Sequence, residues 1–383
     1  MSYICWQIRR QLITLSLIGV IVVFTMTRTS LGLNLERTTP AALPAGHAPI
    51  LLVVLDTEEE FDWSGGFSPQ NRSVTAIKRI PALQKMFEDI GVRATYCIDY
   101  PVAATPASAQ VFAAIASRGT AEIGAHLHPW VTPPETEVPS RFHSYGGNLE
   151  PALERAKLES LTRMIQQSVG VTALTFKAGR YGIASRTVDV LRDLGYRVDL
   201  STAPAFNWSG DGGPNYSGYP NNPYWLAGDR KILEIPTTGG AYGPLWRFGK
   251  RLTPVDNVIP PPRRYVQGLL RRSGLVSRAM LTPEGFSLRE LKQLADSLIS
   301  RGESVLTLSF HSPSLDPGHT PFVRTESERL RFVDLIRSFA EWFASRHRGV
   351  FRTASEVHGI LATADAPRTA DQLDVRTAAL SRG

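Results

Sequence analysis

Histidines and carboxylates follow several predicted strands of this chain, and their spacing suits a metal ion. His126 and His128 stand two residues apart after one apolar run, and Asp56 and Glu58 have the same spacing at another. Residues two apart on a strand share a face, so each pair can reach one ion. Two imidazoles and one carboxylate resemble the ligands of hydrolytic zinc sites, which keep a position open for water. An isolated His-x-His is more often a packing feature, but the carboxylates favour a metal site here.

The elements that must position these residues alternate short β-branched runs with amphipathic stretches, the pattern of βα units. The predicted strands are Ile50–Asp56, Arg93–Ile98, Glu122–Ala125, Val171–Lys177, Arg197–Leu200, Ile232–Ile235, Val305–Phe310 and the short Val350–Arg352. The predicted helices are Val74–Ile90, Ser108–Ser117, Leu149–Ser168 and Ser185–Leu194, with two more opened by capping boxes at Ser287 and Thr325. Seven or eight βα repeats predict a closed or nearly closed (β/α) barrel, with an open doubly wound sheet as the alternative.

Reactive side chains of a parallel barrel come from the carboxyl ends of its strands. Carboxylates and imidazoles gather at those ends here, and His311 follows the seventh strand. Four residues at or near the same ends are candidate substrate contacts: Arg180, Tyr181, Asp199 and Trp130. For Arg180, an ion pair with the acidic residues Glu58–Glu60 is an equally good interpretation.

Five segments, in order, resemble motifs of the polysaccharide deacetylases with the NodB homology domain, carbohydrate esterase family 4. They are Val54–Glu58, Ala94–Tyr96, Glu122–His126, Phe176–Gly182 and Leu306–His311. The match covers about residues 50 to 355 and is most similar to the WalW-like branch. The resemblance implies an α/β fold, a distorted (β/α)7-8 barrel, and metal-dependent removal of acetyl groups from N-acetylated sugars of a polysaccharide or oligosaccharide.

The resemblance also implies a role for each matched residue. Asp56 is the expected general base and His311 the expected general acid. Glu58 stands where the family has a metal-binding Asp, and His126 matches the first His ligand.

Two positions depart from the family pattern. The second His ligand of the family lies four residues after the first, where this chain has Trp130, so we assign that role to His128. The family's Arg of the Phe176–Gly182 segment falls at Lys177, with Arg180 as a substitute. Zinc is the expected ion for two imidazoles and a carboxylate, although manganese, cobalt and nickel accept the same ligands.

Aromatic residues are abundant near the predicted strand ends and in the long loop at residues 202–230. Six of them are candidates either for stacking on sugar rings or for ordinary packing: Trp63, Trp130, Trp208, Tyr216, Tyr219 and Trp225.

Composition excludes several other classes of protein. The 43% hydrophobic and 20% charged residues indicate a globular chain rather than a disordered one. Cys5 and Cys97 are the only cysteines, which excludes a disulfide framework and a cysteine-rich zinc site. The formal net charge of +7 is too small, without clustering, to indicate nucleic acid, and we predict no such partner.

The amino terminus has the layout of an export signal. The apolar run Leu12–Met26 follows Arg9 and Arg10. As a helix it would reach about 22 Å, less than the roughly 30 Å of a bilayer core. We therefore predict a signal peptide or signal anchor at 1–30, a linker at 31–48, the catalytic barrel at 49–360 with a loop and insertion region at 202–286, and a disordered tail at 361–383. The barrel is expected outside the cytoplasm, anchored to the membrane or secreted.

Three alternatives fit parts of this pattern. A glycoside hydrolase would use two carboxylates such as Asp56 and Glu234 and would need no metal. A metal amidohydrolase barrel also uses His-x-His, but after its first strand, whereas here the pair follows the third. A catalytically inactive, carbohydrate-binding relative is favoured by the missing fourth-residue His.

Overall fold

A computed structural model of the protein describes residues 31–63, 65–226, 231–253, 268–270 and 273–364. The predicted signal or anchor at 1–30 lies outside the described residues, as does the predicted tail beyond residue 364. Within the described ranges, no helix has both the length and the apolar character needed to cross a membrane.

Seven parallel strands form the centre of the main sheet. The strands found in the described residues are β1 Thr39–Pro40, β2 Ile50–Thr57, β3 Ala94–Ile98, β4 Glu122–Leu127, β5 Thr175–Ala178, β6 Val198–Asp199, β7 Tyr224–Leu226, β8 Ile232–Glu234, β9 Gly239–Tyr242, β10 Ser277–Met280, β11 Val305–His311 and β12 Val350–Phe351. Their order in the main sheet is β1-β7-β8-β6-β5-β4-β3-β2-β11. The seven consecutive strands β8-β6-β5-β4-β3-β2-β11 of that order are all parallel. β12 also pairs with β2, and β9 with β10 forms a separate antiparallel ribbon.

Helices of the described residues connect these strands, and most of them cover the outside of the sheet. They are α1 Ile80–Asp89, α2 Tyr100–Ala104, α3 Pro106–Arg118, α4 Pro151–Val169, α5 Thr187–Asp193, α6 Gly249–Leu252, α7 Leu288–Ile299, α8 Glu326–His347 and α9 Ala354–Ala364. The capping boxes predicted at Ser287 and Thr325 are both formed, and they open α7 and α8. Each box satisfies backbone N–H groups that the first helical turn leaves without partners.

The sheet curls into a barrel because short segments bridge the gap between β8 and β11. Thr238, just beyond β8, accepts a hydrogen bond from the Thr307 N–H through its Oγ1 at 2.8 Å. Leu281 donates to the Thr238 carbonyl at 2.8 Å and accepts from the Ser309 N–H at 3.0 Å. The predicted (β/α) barrel is therefore confirmed, and it is distorted because a regular ladder is replaced at this closure.

The alternation of side chains along β2 places Asp56 inside the barrel, at the carboxyl end of the strand. Ile50, Leu52 and Val54 belong to one buried apolar cluster, and Asp56 follows on the same face. Val357 and Leu361 of α9 belong to the same cluster. The barrel interior is therefore apolar near the start of β2 and polar at its carboxyl end.

Several elements differ from the sequence predictions. The 202–230 loop contains β7, whose Trp225 and Tyr224 pair with β1, so the predicted linker at 31–48 lies against the sheet. The sequence did not predict β7, because its aromatic residues stand among prolines and asparagines and show no two-residue period of hydrophobicity. α2 and α9 were not predicted, and α9 extends past the predicted domain end at residue 360, with Leu361 fully buried.

Candidate metal and acid–base site

His126 and His128 point their Nε2 atoms at one another at the carboxyl end of β4. His126 lies within the strand, and His128 keeps extended backbone angles just after it. The two Nε2 atoms are 3.1 Å apart. Each Nδ1 atom has its own acceptor, the Lys177 carbonyl at 3.1 Å for His126 and the Glu59 carboxylate at 2.8 Å for His128. With Nδ1–H donated in this way, both Nε2 atoms present lone pairs to the same point.

Glu58 completes a three-sided cluster that suits a cation. Its Oε2 lies 3.4 Å from both His126 Nε2 and His128 Nε2, and all three residues are almost fully buried. Two atoms that bind one tetrahedral ion at about 2.0–2.2 Å lie about 3.3–3.6 Å apart, close to the separations found here. Glu58 Oε1 is buried and has no hydrogen-bond partner among the described residues. The donor set and its spacing therefore fit a divalent metal.

The protonation states around this cluster also suit metal binding. Burial lowers the pKa of His128 to about 4 and lowers that of His126, so both imidazoles are neutral ligands at neutral pH. Burial raises the pKa of Glu58 to about 7, because no positive charge fully compensates its carboxylate. A cation at this point would supply the missing charge.

A second layer of polar groups fixes the orientation of His128. Glu59 accepts a hydrogen bond from His128 Nδ1–H and another from Trp130 Nε1–H at 2.7 Å, and its own backbone N–H donates to Asp99 at 2.7 Å. The Trp130 ring stacks on His128 with centroids 4.1 Å apart. Trp130, proposed from the sequence as a substrate contact, is thus a buried support for a ligand. Glu59 and Asp99 were not predicted. Nothing in the local pattern separates Glu59 from a solvated acidic loop, whereas Asp99 directly follows the predicted strand Arg93–Ile98, and that position was the signal that could have found it.

A buried lysine of α4 anchors the loop that follows His128. Lys157 of α4 donates to the carbonyls of Pro129, Thr132 and Pro134 at 2.6 to 2.9 Å and pairs with Glu137 at 2.9 Å. Four acceptors around one fully buried ammonium anchor this loop to the helix.

Gly179 leaves the space that the His128 ring occupies. A Cβ at this position would lie 2.3 Å from His128 Cδ2 and 2.6 Å from the Leu127 carbonyl oxygen. Gly179→Ala is therefore expected to displace His128 and to weaken metal binding at least tenfold, because overpacking a tight site costs about 1–3 kcal/mol. Metal titration of the purified protein measures the effect.

Gly218→Ala is the matched control, because nothing lies within 4 Å of a Cβ added there. Wild-type metal affinity in the Gly179 variant would show that His128 is not a ligand.

Asp56 is held by Lys177 rather than by an arginine. Lys177 Nζ donates to Asp56 Oδ1 at 2.5 Å and to Ser309 Oγ at 2.7 Å, with Lys177 and Asp56 both buried. Burial acts to raise the pKa of Asp56, but Lys177 and the nearby imidazoles lower it to about 2. The residue that looked like a departure from the family pattern thus keeps Asp56 ionised. The sequence signal that could have revealed it was the place of Lys177 in the Phe176–Gly182 segment, where the family that the motifs resemble has an Arg.

His311 faces Asp56 across neighbouring strands. The two residues are register partners in β11 and β2, and His311 Nε2 lies 3.7 Å from Asp56 Oδ2. His311 Nδ1 donates to Glu284 at 2.7 Å, and Ser314 also donates to that carboxylate. Burial acts to lower the pKa of His311, but Glu284 and the other carboxylates raise it to about 10. Glu284 was not predicted, because it lies in the aperiodic 202–286 region.

Arg180 and Tyr181 both have left-handed backbone angles, with φ of 54° and 60°. This turn directs Arg180 to Asp211 at 2.8 Å and Ser144 at 2.6 Å, so the alternative ion pair exists, but with Asp211 rather than with the acidic loop after β2. Tyr181 stays at the site, where Lys177 Nζ lies 5.3 Å from its ring. Arg180 therefore joins two surface loops, and Tyr181 remains a candidate substrate contact.

Asp199 is not brought to this cluster as a substrate contact. It is fully buried, pairs in register with Glu234, and accepts the Ser201 hydroxyl at 2.5 Å. Glu234 is equally buried, and its Oε1 accepts from Thr202. Burial raises the pKa of both carboxyls, and the neighbouring Asp199 raises the pKa of Glu234 further. A glycoside hydrolase using Asp56 and Glu234 would need the second carboxylate open to the sugar, and here it is not.

The aromatic candidates other than Trp130 are either fully buried or partly exposed. Tyr216 and Trp225 are fully buried and belong to the packing. Trp63 and Trp208 are half-buried, and Trp208 stacks on Tyr181 with centroids 5.0 Å apart. Tyr219 donates its hydroxyl to the Leu33 carbonyl at 2.6 Å.

Solved structures share this fold, although no protein-family model and no curated protein matches the sequence. The probable polysaccharide deacetylase from Pseudomonas aeruginosa PAO1 has a TM-score of 0.50 at 16% identity, over 86% of this chain and 96% of that chain. Puue allantoinase has a TM-score of 0.50 at 17% identity, with the same coverage of both chains. At such identities the likeness concerns the fold. The chain has the distorted (β/α) barrel fold of the NodB-type polysaccharide deacetylases.

Proposed function

We propose that this protein is a metal-dependent hydrolase that removes acetyl groups from the N-acetylated sugars of a polysaccharide. One observation carries the proposal. The facing pair Asp56 and His311 lies at the same barrel end as the ligand cluster of Glu58, His126 and His128. Amide hydrolysis requires a base for the attacking water and an acid for the departing nitrogen, and the pair offers both.

Asp56 supplies the base. When bound by the cluster, a divalent ion supplies Lewis-acid polarisation of a carbonyl and activation of water at neutral pH. Asp56 is ionised at neutral pH because Lys177 stabilises its charge, so it can accept the proton that water releases during attack. Lys177 occupies Oδ1, which leaves Oδ2 to receive that proton.

His311 supplies the acid. With Nδ1 donated to Glu284, its Nε2–H is the proton available to the leaving amine. Its side chain is 24% exposed, far more than the ligand histidines, so substrate can reach it. Without this proton the amine would be a poor leaving group, and the addition of water would reverse.

Replacement of Glu284 by glutamine should move the alkaline limb of the pH profile of kcat/KM to lower pH by one unit or more. The carboxylate of Glu284 stabilises the imidazolium and raises the pKa of His311, so a neutral amide lets that pKa fall. The active, protonated acid is then lost at lower pH. Acetate release measured between pH 6 and 11 checks the shift.

The exposed Glu341 of α8, changed to glutamine, is the control for loss of one surface charge. An alkaline limb that does not move in the Glu284 variant would show that Glu284 does not set the pKa of the acid His311.

An acetate-release screen of the purified protein tests the proposed function. N-acetyl-chitooligosaccharides, peptidoglycan fragments and acetylated xylan cover N- and O-acetyl linkages. Allantoin represents a small cyclic amide, and its hydrolysis is followed as ring opening because it releases no acetate. Metal-dependent acetate release from an N-acetylated saccharide is the expected result. Release of reducing sugar, hydrolysis of allantoin alone, or binding without turnover would each favour a different function.

Three finer assignments belong to the same proposal. Zinc is the proposed ion, supported by two imidazoles and one carboxylate in the cluster. The WalW-like branch is the proposed subgroup, supported by the order of the sequence motifs. Export, with a signal peptide or membrane anchor, is supported by Arg9, Arg10 and the apolar run Leu12–Met26.

A further inference from the structure

The segment from Arg247 to Arg278, most of which connects β9 to β10, carries the excess positive charge of the whole chain. It contains eight arginines and lysines and the single acid Asp256. The chain has 42 basic and 35 acidic residues, so the residues outside this segment hold 34 of each and are neutral overall. The net charge of +7 is therefore clustered, and clustering is what makes a basic excess meaningful for binding.

The described part of this segment is fixed to the ribbon of β9 and β10. Arg278 donates to the Thr253 carbonyl at 2.7 and 3.0 Å and to the Ala205 carbonyl at 2.8 Å. α6 packs directly on β9, because a Cβ added to Gly249 would lie 2.3 Å from the Cβ of Ala241. The outward side of α6, with the turn before it, is therefore a fixed surface of the barrel.

Exposed apolar side chains stand beside exposed arginines on that surface. Arg247, Phe248 and Arg251 are all exposed, Phe248 to 55%. Leu275 is 42% exposed, and its carbonyl accepts a backbone N–H of the turn before α6 at 2.8 Å. Leu269, six residues earlier in the chain, is 70% exposed. These five residues are called the ribbon surface below.

Trp246 supports the arginine side of the ribbon surface. The guanidinium carbon of Arg247 lies 5.6 Å from the centroid of the indole, and that of Arg301 lies 4.2 Å from it. Cation–π contacts of this kind hold an arginine in place without neutralising its charge. The indole itself is a side chain that suits a boundary between water and an apolar phase.

The mixture of charged and apolar side chains distinguishes among the polyanions that the arginines could meet. Nucleic acids and acidic polysaccharides would use the positive charge, but they offer little to exposed leucines. An anionic bilayer uses both groups, because guanidinium groups meet the lipid phosphates while Phe and Leu side chains enter the boundary with the acyl chains. The ribbon surface therefore fits a lipid surface best.

We propose that the ribbon surface docks the barrel on a bilayer that contains anionic phospholipid. None of its five residues belongs to the ligand cluster or to the pair of Asp56 and His311, so the inference does not depend on the proposed hydrolase. It is also separate from the proposed export segment, because the contacts come from the folded barrel.

Flotation of the full chain with vesicles tests the charged part of this surface. The vesicles are phosphatidylcholine alone or phosphatidylcholine with one lipid in three replaced by phosphatidylglycerol. Because the apolar run Leu12–Met26 is the same in every variant, the ratio of anionic to neutral affinity is compared among variants. Arg247→Glu combined with Arg251→Glu should lower that ratio at least tenfold, since each basic residue near such a surface contributes about fivefold.

The matched control reverses two exposed arginines of α8, Arg331→Glu combined with Arg337→Glu, and should leave the ratio unchanged. A ratio that the ribbon variant leaves unchanged would overturn the inference. A ratio that both double variants lower equally would also overturn it, because net charge alone would then explain the binding.

Phe248→Ala separates a bilayer from a soluble polyanion. The variant should bind the anionic vesicles at least threefold more weakly, because the Phe248 ring leaves water only on a bilayer. Its binding to dextran sulfate should equal that of the wild type. Leu330→Ala, at a position 56% exposed on α8, is the control and should alter neither affinity.

Vesicle binding that Phe248→Ala leaves unchanged would overturn the inference, because the surface would then recognise charge alone, as a nucleic acid or an acidic polysaccharide does. Native circular dichroism of each variant is expected, since every substituted side chain is exposed. Acetate release is not measured in these experiments, so their outcome and that of the proposed function are independent.

Discussion

Asp56→Asn is expected to lower turnover by about a hundredfold to ten-thousandfold while the protein keeps its metal. Asparagine has the shape of aspartate and can still accept the hydrogen bond from Lys177, but it cannot take a proton from water. Asp56 lies beside the ligand cluster and is engaged by Lys177 and His311, so its removal deletes no ligand. Steady-state acetate release and elemental analysis of the same preparation measure the two effects.

Stability must be followed in the same experiment. Breaking a buried ion pair costs about 3–5 kcal/mol when one charge is left alone, and Lys177 would be such a charge. A lower melting temperature with native circular dichroism is expected. Asp334→Asn, an exposed change on α8, should match the wild type in every measurement. An Asp56 variant that loses its metal would make Asp56 a ligand, and one that retains full turnover would exclude it as the base.

The barrel and the approach of Glu58, His126 and His128 to one another could be predicted from the sequence, because a two-residue strand period and the alternation of strands with helices define them. A two-residue repeat places Asp56 and Glu58 on one face and His126 and His128 on another. Parallel order then brings both strand ends to the same side of the barrel. No step in that argument needs a side-chain conformation.

The supporting groups could not be found in this way, because their partners are distant in sequence. Glu284 reaches His311 from an insertion with no recognisable period, 27 residues away. Arg180 is next to the site in sequence, yet its left-handed backbone turns the side chain toward Asp211. Lys177 was visible as a strand-end residue, but only the pairing of β5 with β4 shows that it replaces Arg180 near Asp56.

His126→Ala is expected to remove the metal and, with it, all measurable deacetylation. The variant deletes one of the two Nε2 atoms that lie 3.1 Å apart, and only Glu58 and His128 of the cluster are then left to bind the ion. Loss of supporting residues outside a metal's ligand shell already weakens binding by about 10- to 100-fold, so loss of a ligand should exceed that. Metal content after dialysis and a titration with zinc measure the change.

His128→Ala should behave in the same way, and it tests the departure from the usual ligand spacing. Trp130 occupies the position where the polysaccharide deacetylases that the motifs resemble have their second His, but here the indole donates to Glu59 and stacks on His128. Trp130→Phe keeps a ring against His128 and loses the bond to Glu59, so it is expected to weaken metal binding less than His128→Ala does. His143→Ala, which removes a histidine bonded to the Val138 carbonyl on the surface, is expected to leave metal binding unchanged. Metal retained by the His128 variant would exclude His128 as the second ligand, and the Trp130 indole could not replace it, because its Nε1–H is a donor without a free lone pair. Metal retained by both the His126 and the His128 variants would show that the ion binds in another part of the protein, away from the facing pair of Asp56 and His311.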